Sequence, residues 1–236
     1  MTESQLIQVD TDAGPMPVHQ WLPPGGTGPG LVLVQEIFGV SDYIRQRATD
    51  LAALGYVVLA PEFYWRLADA GVDESQPDFL QQAIAVSARI DWPAAVRDGV
   101  AALEHLRHSE TTTGGVGLIG FCFGGGLAFN ISAVDSPDAL VSYYGSGLPN
   151  LLHLAPSVTA PSLHHFGTAD DYLQADTVAQ IRDAISRPGV RIQLYEGAGH
   201  AFDNPRPAFH HAAASTDAWE STVAFLESVL PTAFAA

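Results

Sequence analysis

Cys122 is the only cysteine in the chain, and it lies in Gly120-Phe121-Cys122-Phe123-Gly124-Gly125. An apolar run, Val116-Gly117-Leu118-Ile119, precedes it, and Gly126-Leu127-Ala128-Phe129-Asn130-Ile131 follows. That order predicts a strand, a sharp turn and a helix. In such a turn a nucleophile takes a strained backbone conformation, and glycines two residues to either side leave it room. The helix N-terminus behind it offers free N–H groups and a positive dipole end to a developing anion. The plain alternative is a small buried core residue, a common fate for free cysteine. A thiol nucleophile needs a base, and the base needs an orienting group. His200, in Glu196-Gly197-Ala198-Gly199-His200-Ala201-Phe202, is placed for the first role. Asp170, in Gly167-Thr168-Ala169-Asp170, is placed for the second, with Asp171 and Asp203 as competitors. The chain order of nucleophile, acid and histidine is that of the α/β-hydrolases.

These residues need a frame that brings three distant loops together. Leu6–Val9, Val18–Leu22, Leu31–Val34, Tyr56–Ala60, Val116–Ile119, Leu140–Tyr144, Ser162–Phe166 and Val190–Tyr195 read as strands. Ser41-Asp42 cap a helical pattern that runs to Leu54 and stops at Gly55. Further helices are expected over Phe79–Ile90, Pro93–His108, Asp176–Arg187 and Ser215–Leu230, with Pro61–Gln76 irregular. Strands alternating with helices predict an α/β fold: a mostly parallel sheet covered on both faces. No repeat or break in composition divides the chain, so residues 1–236 are expected to form one domain. Asp170 and His200 each follow a strand directly, at the end of an open sheet where ligands gather.

Composition narrows the chemistry further. The chain carries 26 acids and 10 bases, a formal charge of −16. All the bases are arginine, and such a balance excludes phosphate-tracking nucleic-acid binding. It also disfavours an anionic membrane partner. No apolar stretch approaches the ~20 residues of a membrane span. Met1-Thr2-Glu3-Ser4-Gln5 has no basic segment followed by an apolar one, so a cytoplasmic location is expected, and a lone cysteine suits it. Gly115-Val116-Gly117-Leu118-Ile119-Gly120 fits the dinucleotide fingerprint but occupies the predicted strand instead of following it. His164-His165 alternate within a strand and read as core, and the adjacent His210-His211 read as a solvated segment. No Cys/His cluster predicts a metal, and no cofactor is expected.

At Gln35-Glu36-Ile37-Phe38-Gly39, together with the cysteine turn and Gly199-His200-Ala201-Phe202, the chain resembles the dienelactone hydrolase family. Pro61-Glu62-Phe63-Tyr64-Trp65-Arg66 and Tyr143-Tyr144-Gly145 extend the likeness over nearly the whole length. The resemblance implies an α/β-hydrolase fold and hydrolysis of a small ester or lactone through Cys122, Asp170 and His200. It implies that Glu36 lies near the cysteine and helps to activate it, and that the amides of Ile37 and Phe123 form the oxyanion hole. A plainer reading of Glu36 is a structural carboxylate paired with Arg66 or a backbone amide. Phe38, Arg66, Tyr144 and Arg206 are the expected substrate contacts. Two substrate-binding arginines of the family have no match here. The stretch Asp78–Ser87 has none, and Asn204 stands where the second would be. An ester or lactone with less charge than dienelactone is therefore expected. The rival readings are a ligand-binding member of the fold without catalysis and, on the glycine fingerprint, a dinucleotide enzyme. The protein is expected to act as a monomer or a small homo-oligomer.

Overall fold

The computed structural model describes residues 4–233, so the first residues of the segment read above for a secretory signal, Met1–Glu3, lie outside it. The element order is β1 (Gln5–Thr11), β2 (Gly14–Trp21), β3 (Gly28–Val34), α1 (Asp42–Ala53), β4 (Val57–Pro61), α2 (Phe79–Ser87), α3 (Trp92–His108), β5 (Thr112–Phe121), α4 (Phe123–Val134), β6 (Ala139–Tyr143), β7 (Ser162–Gly167), α5 (Ala175–Ile185), β8 (Val190–Tyr195) and α6 (Ala212–Val229). Two short 3-10 turns, Leu148–Asn150 and Leu152–Ser157, separate β6 from β7.

The strands form one eight-stranded sheet in the order β1-β2-β4-β3-β5-β6-β7-β8. β1 pairs antiparallel with β2 and β2 with β4, and every later pairing is parallel. All seven residues of β3 and all five of β4 are buried, as expected for strands covered on both faces. α1 and α6 lie on one face, joined where the Arg47 guanidinium stacks on the Trp219 ring. α3 and α4 pack together on the other, where a Cβ on Gly99 would run into Ile131. No helix among the described residues is long and apolar enough to cross a membrane.

Local signals account for several boundaries. The Ser41 side chain accepts from the Ile44 N–H to start α1, and Asp91 accepts from Ala94 N–H to start α3, with proline in its first turn. α2 ends at Ser87, three residues before the expected Ile90. Ser87 turns its hydroxyl back to the Ile84 carbonyl, and the chain leaves the helix there. β5 begins at Thr112, four residues before the expected start, because its polar N-terminal half is only partly buried and carries no apolar signal.

The parallel register decides where chemistry can occur. Val34 pairs with Gly120, Phe121 with Tyr143, Tyr143 with His165 and Gly167 with Tyr195. The C-terminal ends of β3, β5, β6, β7 and β8 thus lie side by side. Glu36, Cys122, Tyr144, Asp170 and His200 all follow those ends within a few residues.

Candidate active site

Cys122 joins β5 to α4 with φ 53° and ψ −116°, a conformation costly for any residue bearing a Cβ. The turn is possible only because nothing projects from its neighbours. A Cβ on Gly120 would sit 2.1 Å from the Gly124 carbonyl oxygen, and one on Gly124 would sit 2.3 Å from that of Val34. Backbone bonds clamp the turn. Cys122 N–H donates to Tyr143 O at 3.0 Å, and Gly125 N–H and Ser146 N–H both donate to Cys122 O. Phe123 is the first residue of α4, so its N–H belongs to the turn that has no helical acceptor.

The sulfur faces His200, with Sγ 3.1 Å from Nε2. His200 Nδ1 is 2.7 Å from Asp170 Oδ2. The other oxygen of Asp170 accepts from the N–H groups of Tyr172 and Leu173 at 2.8 and 3.1 Å. The carboxylate is therefore fixed by its own loop before it orients the ring. Burial by itself would depress the His200 pKa. The negative sulfur of Cys122 and the hydrogen bond to Asp170 outweigh burial and carry it to about 10. Sulfur, imidazole and carboxylate thus lie in one hydrogen-bonded line. Of the two competing acids, Asp171 is exposed on the cavity rim. Asp203 is buried and committed to Arg47, Tyr43 and Ser215.

A cavity of about 480 Å³ opens over the sulfur. Ile37, Phe38, Leu80, Ile84 and Phe209 form apolar wall, and Glu36, Ser146, Tyr172 and His200 line it as well. Phe38, Phe79 and Phe209 cluster with ring centres 5.6–6.4 Å apart. Among the described residues, no arginine lines this cavity. His210 and His211 border it, and His211 also caps α6 by accepting from Ala214 N–H. His164 and His165 are fully buried, and burial carries both pKa values down to about 3, so both are neutral core residues. Gly115–Gly120 lies inside β5.

Three expected substrate contacts, Arg66, Tyr144 and Arg206, lie outside the residues that border this cavity. Arg66 binds Asp98, a fully buried acid on α3, and reaches Asp12 as well. A buried carboxylate demands that partner, so the guanidinium is held away from the cavity. Arg206 is held by Glu74 and lies over the Phe79 ring, so its charge is neutralised behind the aromatic wall. Tyr144 is fully buried at φ 38°, and its hydroxyl reaches Tyr43 and Glu36. Phe38 does line the cavity. Glu36 borders it too, but its carboxyl group is engaged by Asn204 at 2.8 Å and Tyr144 at 3.4 Å, and neither Arg66 nor a backbone amide pairs with it. Burial raises its pKa to about 7 despite the hydrogen bond from Asn204 and the nearby charge of His200.

Sequence reasoning missed Asn204 as the partner of Glu36, Ser146 with Oγ 3.9 Å from the sulfur, and Tyr172, whose ring packs edge-on to His200 at 4.9 Å. The departure from the family pattern at position 204 was a usable signal for the first. Nothing local marks the other two.

Comparisons with known proteins bear on the family and the fold. The family model described as "Dienelactone hydrolase family" matches residues 17–230. The carboxymethylenebutenolidase of Pseudomonas putida is 34% identical over 206 residues, covering 86% of this chain and 87% of its own. Carboxymethylenebutenolidase 1 of Cupriavidus pinatubonensis is 32% identical over 193 residues, 81% of this chain and 82% of its own. Among solved structures, a candidate dienelactone hydrolase from Klebsiella pneumoniae superposes with a TM-score of 0.83 at 26% identity, over 95% of this chain and 98% of its own.

Proposed function

Since this chain belongs to the dienelactone hydrolase family, a family of lactone and ester hydrolases, we propose that it cleaves small, uncharged esters or lactones through a thioester on Cys122. The observation that carries this reading is the unbroken line from Cys122 Sγ through His200 to Asp170 at the floor of an apolar cavity. The Cys122 thiolate adds to the carbonyl carbon. The charge moves to the carbonyl oxygen, which the N–H groups of Ile37 and Phe123 receive. The intermediate collapses as the carbon–oxygen bond of the leaving alkoxide breaks, and protonated His200 gives that oxygen its proton. Neutral His200 then takes a proton from water as the water attacks the thioester. Expulsion of sulfur restores the thiolate–imidazolium pair. Asp170 keeps Nε2 of the ring aimed at the sulfur throughout.

Thiolate leaves far more readily than an amide anion, so activated esters are better substrates than amides. The wall explains the restriction on charge. A carboxylate-bearing substrate would give up its hydration without meeting an arginine, and the one nearby imidazolium is already committed to the sulfur and Asp170, a cost of several kcal/mol. The test is rapid quenching of the protein with an activated aryl ester, followed by intact and peptide mass spectrometry. One acyl group per chain, located on Cys122, is the expected product. Turnover with acyl label on a serine, or with no acyl enzyme under any quench, contradicts the reading.

A further inference from the structure

Two peptides flank the Cα of Ile37, and each is held by a different partner. The Gly39 N–H donates to the Glu36 carbonyl at 3.3 Å and closes a turn over Ile37 and Phe38. In a trans peptide the N–H points away from the C=O, so the Ile37 N–H is turned out of that loop. The peptide between Ile37 and Phe38 is the central one of the turn. Such a peptide is free to flip, the difference between type I and type II turns. Here its oxygen is held from outside, because Tyr64 Oη donates to Ile37 O at 3.1 Å. With both peptides held, the backbone torsions of Ile37 and the direction of its N–H are set.

Tyr64 also reaches the first residue of α4. Its ring centre lies 6.3 Å from that of Phe123, which the Trp92 ring meets edge-on at 5.3 Å. Tyr64 is buried. Burial and the negative charge of Cys122 raise its pKa, so the phenol keeps the proton it donates. That proton goes to Ile37 and not to the sulfur.

The segment that carries Tyr64 is itself anchored. It follows β4 in successive turns, with Trp65 N–H donating to Glu62 O and Leu67 N–H to Tyr64 O. Trp65 Nε1 donates to Asp98 Oδ2 at 3.0 Å, and Arg66 binds both oxygens of the same carboxylate. The Arg66 guanidinium lies over the Trp65 ring, 4.4 Å from its centre. One buried acid on α3 thus ties down the two residues directly after Tyr64.

We propose that Tyr64 is a positioning residue for the oxyanion hole: its hydroxyl sets the Ile37 amide, its ring backs Phe123, and the Asp98 anchor keeps it in register with both. The inference rests on the hydrolase reading above, in which those two amides receive the oxyanion. Arg66 serves the site through this segment and not by contact with substrate.

Two reactions of the same sulfur separate the roles. Acylation by an activated aryl ester places charge on a carbonyl oxygen. Alkylation by iodoacetamide needs the same thiolate but displaces iodide from a saturated carbon, and no oxyanion forms. Tyr64→Phe removes one oxygen atom and keeps the ring. Its single-turnover acylation rate at saturating ester is expected to fall about 10- to 100-fold, less than the ~10²–10³ that follows loss of a whole oxyanion donor. The half-saturating ester concentration and the alkylation rate are expected to stay within about twofold, since neither depends on the oxyanion. Acylation left within about twofold of wild type, against that expected loss, overturns the proposal. A parallel loss in alkylation overturns it too, because the damage then lies in the Cys122–His200 pair. Wild type that is alkylated but never acylated contradicts the hydrolase reading itself, and this inference falls with it. Trp65→Phe keeps Tyr64 and removes one donor of the anchor, and a loss of about two- to fivefold in acylation alone is expected. That variant decides the question if Tyr64→Phe does not fold, and no selective loss in it overturns the proposal.

Discussion

At the scale of single residues, three acids that looked alike in sequence have three different tasks. Asp170 holds the His200 ring through one oxygen while two backbone N–H groups hold the other. Asp170→Asn replaces an acceptor with an amide and destabilises the imidazolium, so kcat is expected to fall by about 10³–10⁴. Asp171 sits exposed on the rim, and Asp171→Asn is expected to change kcat/KM by less than a few fold. Asp203→Asn strips the buried Arg47 guanidinium of its charge partner and is expected to cost stability, on the order of 3–5 kcal/mol in urea unfolding. Kinetic and unfolding measurements on the three variants separate the tasks. A kcat loss at Asp171 matching that at Asp170 would reassign the acid.

At the scale of elements, the turn between β5 and α4 is the part with least tolerance. Gly124→Ala would force a methyl group to 2.3 Å from the Val34 carbonyl oxygen, where backbone and not a pliant side chain must yield. The expected result is a loss of several kcal/mol in urea unfolding together with lost activity, since the same shift displaces Cys122. This turn was legible in sequence because its requirement is local: small residues at fixed offsets from a nucleophile. The strands were legible for the same reason, as short apolar branched runs such as Leu31–Val34. Asp170 and His200 could be placed because each lies just beyond a strand whose parallel register carries it to the same sheet edge. The fates of Arg66 and Arg206 were not legible. Each is decided by an acid far away in the chain, Asp98 on α3 and Glu74 before α2, and no spacing rule connects them. The buried hydrogen bonds around Asp203 and Glu36 were hidden likewise, since they join residues of α1 and α6 to the loops after β3, β6 and β8 that only the fold brings together.

At the scale of the whole molecule, two predictions concern charge. Glu36 has a pKa of about 7 when folded against 4.5 in the unfolded chain. The folded state therefore binds more protons between those values, and stability falls as pH rises from about 4.5 to 7. The full effect above pH 7 is about 3 kcal/mol, from roughly 1.4 kcal/mol per pH unit. Glu36→Gln removes this dependence, so its stability relative to wild type is expected to grow across that window in urea unfolding at stepped pH. Equal pH profiles would refute a burial-raised Glu36 pKa. The net charge of −16 and a cavity wall without arginine among the described residues are expected to act together on the choice of the proposed substrate. A neutral aryl ester or lactone is expected to exceed a carboxylate-bearing analogue in kcat/KM by at least about tenfold, the equivalent of one unmade charge-assisted hydrogen bond. Because long-range repulsion is screened by salt, most of that ratio is expected to persist at 0.5 M NaCl. All of this depends on one sulfur atom. The most direct measurement is kcat/KM of Cys122→Ala on a neutral activated ester, beside wild type and with the fold checked by circular dichroism. A loss of about 10⁴–10⁶ is predicted. A folded variant that keeps more than about a tenth of the wild-type rate, against that loss, would contradict the account.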